Sequence, residues 1–211
     1  MIANRFSPDF KRFLRFFRVY SCRARHVVGL GLLIMLISLS ASGREIGGFS
    51  LPESIQVGDA RTPLVLNGAG IRKKFFFSIY VGALYLPNKT TDAAQAISMM
   101  GDKRVAMRFI HSEIPAKKLA AAWREGFADN LSEGEMRRFN ASIVKFWSMF
   151  PSVKKGDEIN IDQLAGKGVV VTLNGKPLGR IDDPAFMSAL LRIWLGKEPV
   201  TSRLKRDMLG G

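Results

Sequence analysis

The chain has 211 residues, 47% of them apolar, and a net charge of +14. That suits one domain with a real core plus a processed leader. The single cysteine is Cys22, and residues 44–211 contain one histidine, His111, so disulfides, thiol nucleophiles and ordinary Cys/His metal sites are excluded from that part.

The charge is uneven. Residues 1–43 hold seven of the 32 Lys/Arg and one of the 18 acids, which leaves +8 on the remainder. The basic residues there come as scattered pairs, such as Lys73-Lys74, Lys117-Lys118 and Lys154-Lys155. No aromatic-interleaved basic stripe accompanies them, so they read as solvated faces and nucleic acid is not an expected partner.

Residues 27–39 (VVGLGLLIMLISL) are almost wholly apolar, preceded by Arg23 and Arg25 and followed by small residues 40–43. Basic, then apolar, then small is the order of an export signal. Thirteen residues rise about 20 Å as a helix, short of the roughly 30 Å hydrocarbon core. The expectation is a cleaved leader over residues 1–43, a domain over 44–211, and a periplasmic location if the source is bacterial. The alternative is an uncleaved leader that anchors the domain to the membrane. Residues 5–20 mix Arg with Phe at near-helical spacing, as a membrane-surface helix does, so peripheral membrane contact joins the expected partners. A long signal n-region, or a start codon assigned too far upstream, accounts for the same residues without it.

Residues 50–57 form the first expected strand. The stretch 64–86, LVLNGAGIRKKFFFSIYVGALYL, reads as two strands joined by a short basic turn. Within it, 62–66 is a β-branched strand with Asn67-Gly68 behind it as a turn or bulge, and 75–86 is a long aromatic strand. Alternation puts Phe75, Phe77, Ile79 and Val81 on one face and Phe76, Ser78 and Tyr80 on the other, with Gly82 as a kink that reverses it. A short helix over 91–100 takes Thr91 as N-cap. Strand 103–110 has one polar side, carrying Arg104 and Arg108. Pro115 sits at N1 of a helix ending at Asn130, and Ser132 with Glu135 is a capping box for a helix that Pro151 stops. A strand covers 158–164. Strands 169–173 and 176–181 flank the hairpin signal Asn174-Gly175, with Pro177 marking a sheet edge. Asp183-Pro184 opens a helix that ends at Gly196, and 202–209 forms a last one. Strands, then helices, then a hairpin and helices predict an α+β fold, with a mainly antiparallel sheet and a helical layer on one face.

Common chemical motifs fail. Gly68-Ala69-Gly70 begins like a dinucleotide loop, but the third glycine would fall at Lys73 and no βαβ unit surrounds it. No GxSxG, HExxH or P-loop occurs. Asp182-Asp183 reads as a helix start. No cofactor or metal is expected, and no catalytic residue is assigned.

Five segments, in order, carry a family resemblance: Leu66-Asn67-Gly68-Ala69-Gly70-Ile71-Arg72, residues 80–86, Lys155-Gly156-Asp157, Leu173-Asn174-Gly175-Lys176, and Ile193-Trp194-Leu195-Gly196. Over about residues 46–210 the chain resembles the chalcone isomerase-like family, most closely its exported bacterial branch. The resemblance implies an open-faced β-sandwich that holds a small, largely apolar molecule in a cleft between sheet and helices. The plant enzymes of that family close a flavanone ring by intramolecular attack of a phenolate on an enone. They use an arginine after the Gly-rich turn, a threonine on the next strand, and a tyrosine and asparagine on a helix over the cleft. Here Arg72 matches the arginine and Tyr80 falls at the threonine. Helix 116–130 has no tyrosine, and its only asparagine is Asn130 at the end. Non-catalytic plastid relatives bind fatty acids, with an arginine and a tyrosine holding the carboxylate, and Arg72 with Tyr80 resembles that arrangement. The resemblance thus implies an exported, non-catalytic binder of a fatty acid or similar amphiphilic carboxylate. The alternative is an intramolecular lyase acting on a chalcone-like enone. A guanidinium fork and a phenolic donor suit a carboxylate chemically. Arg72 as a solvated strand end and Tyr80 as plain core is the competing structural reading.

Overall fold

The computed structural model describes residues 43–58, 62–165 and 167–211. The leader reading falls on residues outside this set. Strand β1 (Gly43–Ile46) and β2 (Phe49–Pro52) form a hairpin, and β3 (Ser54–Ile55) follows. Then come β4 (Leu64–Lys74), β5 (Phe77–Leu86), helix α1 (Ala93–Ser98), β6 (Lys103–Phe109) and β7 (Glu113–Ile114). Two long helices, α2 (Ala116–Asn130) and α3 (Glu133–Ser148), lead into β8 (Val153–Lys154) and β9 (Glu158–Leu164). The hairpin β10 (Gly168–Leu173) and β11 (Lys176–Ile181) precedes α4 (Phe186–Leu195) and α5 (Ser202–Met208).

Seven strands make one antiparallel sheet in the order β11-β10-β9-β6-β5-β4-β3. Period-two alternation gives it two faces. Tyr80, Leu84, Val105, Met107, Phe109, Ile159 and Ile161 point into the main core with the helices. Val81, Ala83, Tyr85 and Ala106 point the other way, into a smaller cluster with Leu51 of β2. On that second face the predicted polar side of β6 finds partners on β9. Arg104 makes a forked pair with Asp162 at 2.6 and 2.7 Å, and Arg108 pairs with Glu158. An α+β fold with a helical layer on one sheet face is therefore what the chain forms.

Several boundaries move for physical reasons. Asn67-Gly68 is a bulge inside one eleven-residue strand, not the end of a short one. The first expected strand is split between β2 and β3. Asp92, not Thr91, caps α1, accepting from the Ala94 and Gln95 amides, and Pro115 is the N-cap of α2 rather than N1. The capping box of Ser132 and Glu135 forms as read. Asn174 and Gly175 both take left-handed φ, +50° and +75°, as the tight hairpin demands. Gly82 reverses nothing, because Tyr80 and Leu84 on either side of it both face the helices. A Cβ there would press on the Tyr80 ring at 3.3 Å and reach ordinary contact with Leu204 of α5 at 3.5 Å.

Close packing explains Gly68 and Gly70. A Cβ on Gly68 would collide with the Asp207 carbonyl of α5, and one on Gly70 with the Asp207 side chain. The two glycines let a helix lie directly on the strand. Asn67 secures it, with Nδ2 donating to the Met208 carbonyl at 2.8 Å while Oδ1 accepts from the Thr90 amide at 2.7 Å.

Candidate functional site

Arg72 and Tyr80 stand directly opposite each other on β4 and β5. A register shift just after Arg72 marks the last irregularity before the turn. The Arg72 guanidinium carbon lies 5.7 Å from the centre of the Tyr80 ring, within cation–π range. The sequence placed these two residues in one site, and the fold brings them together. Tyr80 is only 4% exposed, whereas Arg72 is half-buried.

Two small cavities share Arg72. The first, about 180 Å³, is lined by Arg72, Ile79, Tyr80, Phe109, Ile114 and Leu119, with Lys74, His111, Glu113 and Lys118 at its polar side. It lies between β5 and α2, as the resemblance implied. The second, about 210 Å³, is more polar and lies between Arg72 and the Glu198–Val200 segment. Phe75, Phe76 and Phe77 were expected to open the long strand 75–86, with Phe75 and Phe77 on one face and Phe76 on the other. Instead Phe75 and Phe76 form the tip of the β4–β5 turn, and all three rings are exposed.

Beneath the cavity lies an aromatic core. Trp194 of α4 donates its Nε1–H to the Tyr80 hydroxyl oxygen at 2.9 Å. Its ring meets Trp123 of α2 edge-on at 5.7 Å, and Trp123 in turn packs on Phe146 and Phe150. Because the Tyr80 oxygen accepts from Trp194, its own O–H remains to donate elsewhere. Burial raises the Tyr80 pKa, opposed by the Arg72 charge and the Trp194 bond. Tyr80 is therefore a neutral donor at physiological pH.

Two buried N–H groups here have no acceptor in the protein: Arg72 Nε and Trp123 Nε1. Buried donors are normally satisfied, so each such group asks for a partner. The sequence marks Trp194 only as part of a matching segment, and apolar periodicity on helix 116–130 gives Trp123 no role beyond packing. His111, the one histidine of residues 44–211, sits beside the cavity, edge-on to Phe77 at 5.9 Å. No group of His, Cys, Asp or Glu that could hold a metal occurs among the described residues.

Helix α2 offers the cavity Lys118, Leu119 and Ala122, without a hydroxyl or amide side chain. Its asparagine, Asn130, is a clamp. Nδ2 donates to the Gly126 and Glu198 carbonyls at 3.1 and 2.7 Å, and Oδ1 accepts from the Glu198 amide at 3.2 Å.

Fold and site together define an α+β protein with an Arg–Tyr pair at the mouth of a small apolar cleft between its sheet and its helices. A model of the chalcone isomerase-like family matches residues 43–210, and the chain belongs to that family. The crystal structure of a fatty-acid binding protein from Arabidopsis thaliana superposes with a TM-score of 0.63 at 17% identity, covering 77% of this chain and 92% of that one. At that identity the likeness speaks for the fold. No curated protein sequence matches the chain significantly.

Proposed function

We propose that the protein binds a small amphiphilic carboxylate of the fatty-acid type, with Arg72 and Tyr80 on the headgroup and Ile79, Phe109, Ile114 and Leu119 around the start of the tail. The observation that carries this is the buried Arg72 Nε without a partner, beside a tyrosine whose hydroxyl is held as a donor. A carboxylate supplies the missing acceptor and counter-charge in one group. The structural neighbour's fatty-acid binding supports the same reading. At about 180 Å³ the cavity is smaller than the roughly 300–1,000 Å³ of most ligand pockets. It fits the headgroup and the first part of a tail, and a longer tail must part α2 from the sheet. Export of the domain, with residues 1–43 as its signal, remains part of this proposal on sequence grounds alone.

The test is displacement of a fluorescent fatty acid by unlabelled ones from folded variants with matched melting curves. Arg72→Ala should weaken binding about 30- to 150-fold, equivalent to about 2–3 kcal/mol for a charged hydrogen-bond partner. Arg72→Lys should recover only part, because an ammonium cannot make the forked contact. Parent-like affinity in Arg72→Ala would return both residues to a structural role. Turnover of a chalcone panel by the parent protein would instead favour the lyase alternative.

A further inference from the structure

We propose that the β4–β5 turn is a wedge that docks the domain on an anionic bilayer surface. Lys74 pairs with Phe77, leaving Phe75 and Phe76 as the two central residues of the turn. Phe75 is 85% exposed, Phe76 98% and Phe77 61%. Phe75 also has φ +53°, the conformation that glycine fills at the first central position of tight hairpins. A bulky residue there is strained, and three exposed rings in a row cost solubility. Neither Phe75 nor Phe76 belongs to either core cluster of the fold. The turn thus has the wrong chemistry for a hairpin in water and the right chemistry for the interfacial layer of a membrane, where aromatic rings lodge at headgroup depth.

The charge around the wedge points to the same partner. Lys73 and Lys74 are exposed at its base. Lys154 and Lys155 occupy the same end of the sheet, since the Lys155 amide donates to Ser112 just beyond β6 and Gly156 to Phe109, the register partner of Tyr80. Both lysines are exposed, as is Lys118 beside the cavity. Among acids at this end, Asp157 is turned onto the Lys154 amide and Asn174 and Glu158 is paired with Arg108, while exposed Glu113, Glu125, Asp129 and Glu198 line the two cavities that Lys74 borders. A projecting aromatic tip with exposed Lys73 and Lys74 at its base complements a flat anionic surface, whereas a protein partner would need a groove to receive it. Docking stands independently of the ligand reading. If that reading also holds, the Arg72 cavity, lined by Lys74 at the base of the wedge, opens close to the leaflet from which an amphiphile would enter.

The test reads the turn itself, so the leader's own membrane affinity does not confuse it. Full-length protein carrying Phe76→Trp, at a position with nothing packed on it, is mixed with vesicles of phosphatidylcholine and phosphatidylglycerol at about 3:1 in about 0.1 M salt. The expected result is a blue shift of the introduced indole's emission and quenching by lipids brominated on the acyl chain, in excess of the parent protein's three tryptophans. Neutral phosphatidylcholine vesicles, or the added pair Lys73→Glu and Lys74→Glu, should raise the lipid needed for half the shift at least about tenfold. An indole that stays in water while the chain pellets with vesicles overturns the proposal. So does equal burial in neutral lipid. A lipid-free dimer that Phe76→Ser disperses, without any vesicle-induced shift, would make the wedge a self-association surface instead.

Discussion

Lys103 is an ammonium at 1% exposure on the helix side of β6. It donates to the Ala96 and Ile97 carbonyls at 3.1 and 2.9 Å, the open C-terminal end of α1. Burial pushes its pKa down to about 8, while the unfolded chain keeps a lysine near 10.4. Between those values the unfolded state binds more protons, so folding stability should rise with pH from about 8 towards 10. Chemical denaturation across that range should show the slope in the parent and lose it in Lys103→Met. Tyr80→Phe tests the site from the stability side. It would leave the buried Trp194 N–H without its acceptor, and should cost about 1–3 kcal/mol in urea unfolding. A loss well below that would mean that the Trp194 bond contributes little. That Arg72 and Tyr80 lie side by side was legible in the sequence because the family likeness names both. Lys103 was not, because a lysine in an alternating strand looks solvated until the helix above it is known.

At the scale of elements, the contact of α5 with β4 depends on two missing side chains. Gly70→Ala should destabilise the fold by about 1–3 kcal/mol through overpacking against the Asp207 side chain. Gly68→Ala should cost more, since it meets backbone that cannot swing aside. Gly134 in α3 is the control: a methyl there meets nothing, and alanine should stabilise by up to about 1 kcal/mol from helix propensity. If all three glycines tolerate alanine equally, the close-packing account fails. The motif of residues 66–72 was visible as a string, but its purpose was not, because its partner helix lies some 130 residues later in the chain. Local signals fared best. Asn174-Gly175, the Ser132–Glu135 box and the Glu158–Leu164 strand each carry their own geometry within a few residues. The aromatic run 75–77 misled because β-propensity and alternation describe a strand, and only the register showed that two of those residues turn the corner.

At the scale of the whole molecule, the fold rests on one aromatic-rich core and one smaller cluster, with Cys22 outside the described residues. Neither chelator nor reductant should shift the thermal melt of the intact protein, and a clear drop with chelator alone would reveal a bound metal. Fold class was legible because strand and helix periods change in a distinct order along the chain. The cleft's small size was not, because periodicity says which faces are apolar and nothing of how tightly Trp123, Trp194 and Phe146 fill the space between them.

The bond from Asn67 to the Met208 carbonyl spans 141 positions, and this sets a timetable for synthesis. As the chain leaves the ribosome, β4 and β5 can pair within moments of each other, but the glycine strip on β4 stays uncovered until α5 has emerged. Nearly the whole protein must therefore wait, partly folded, for its closing helix. A chain that stops short of residue 202 should never complete that step. It would present a bare strand surface to its neighbours, and it should be recovered as aggregate or protease fragments rather than as a weaker version of the same fold.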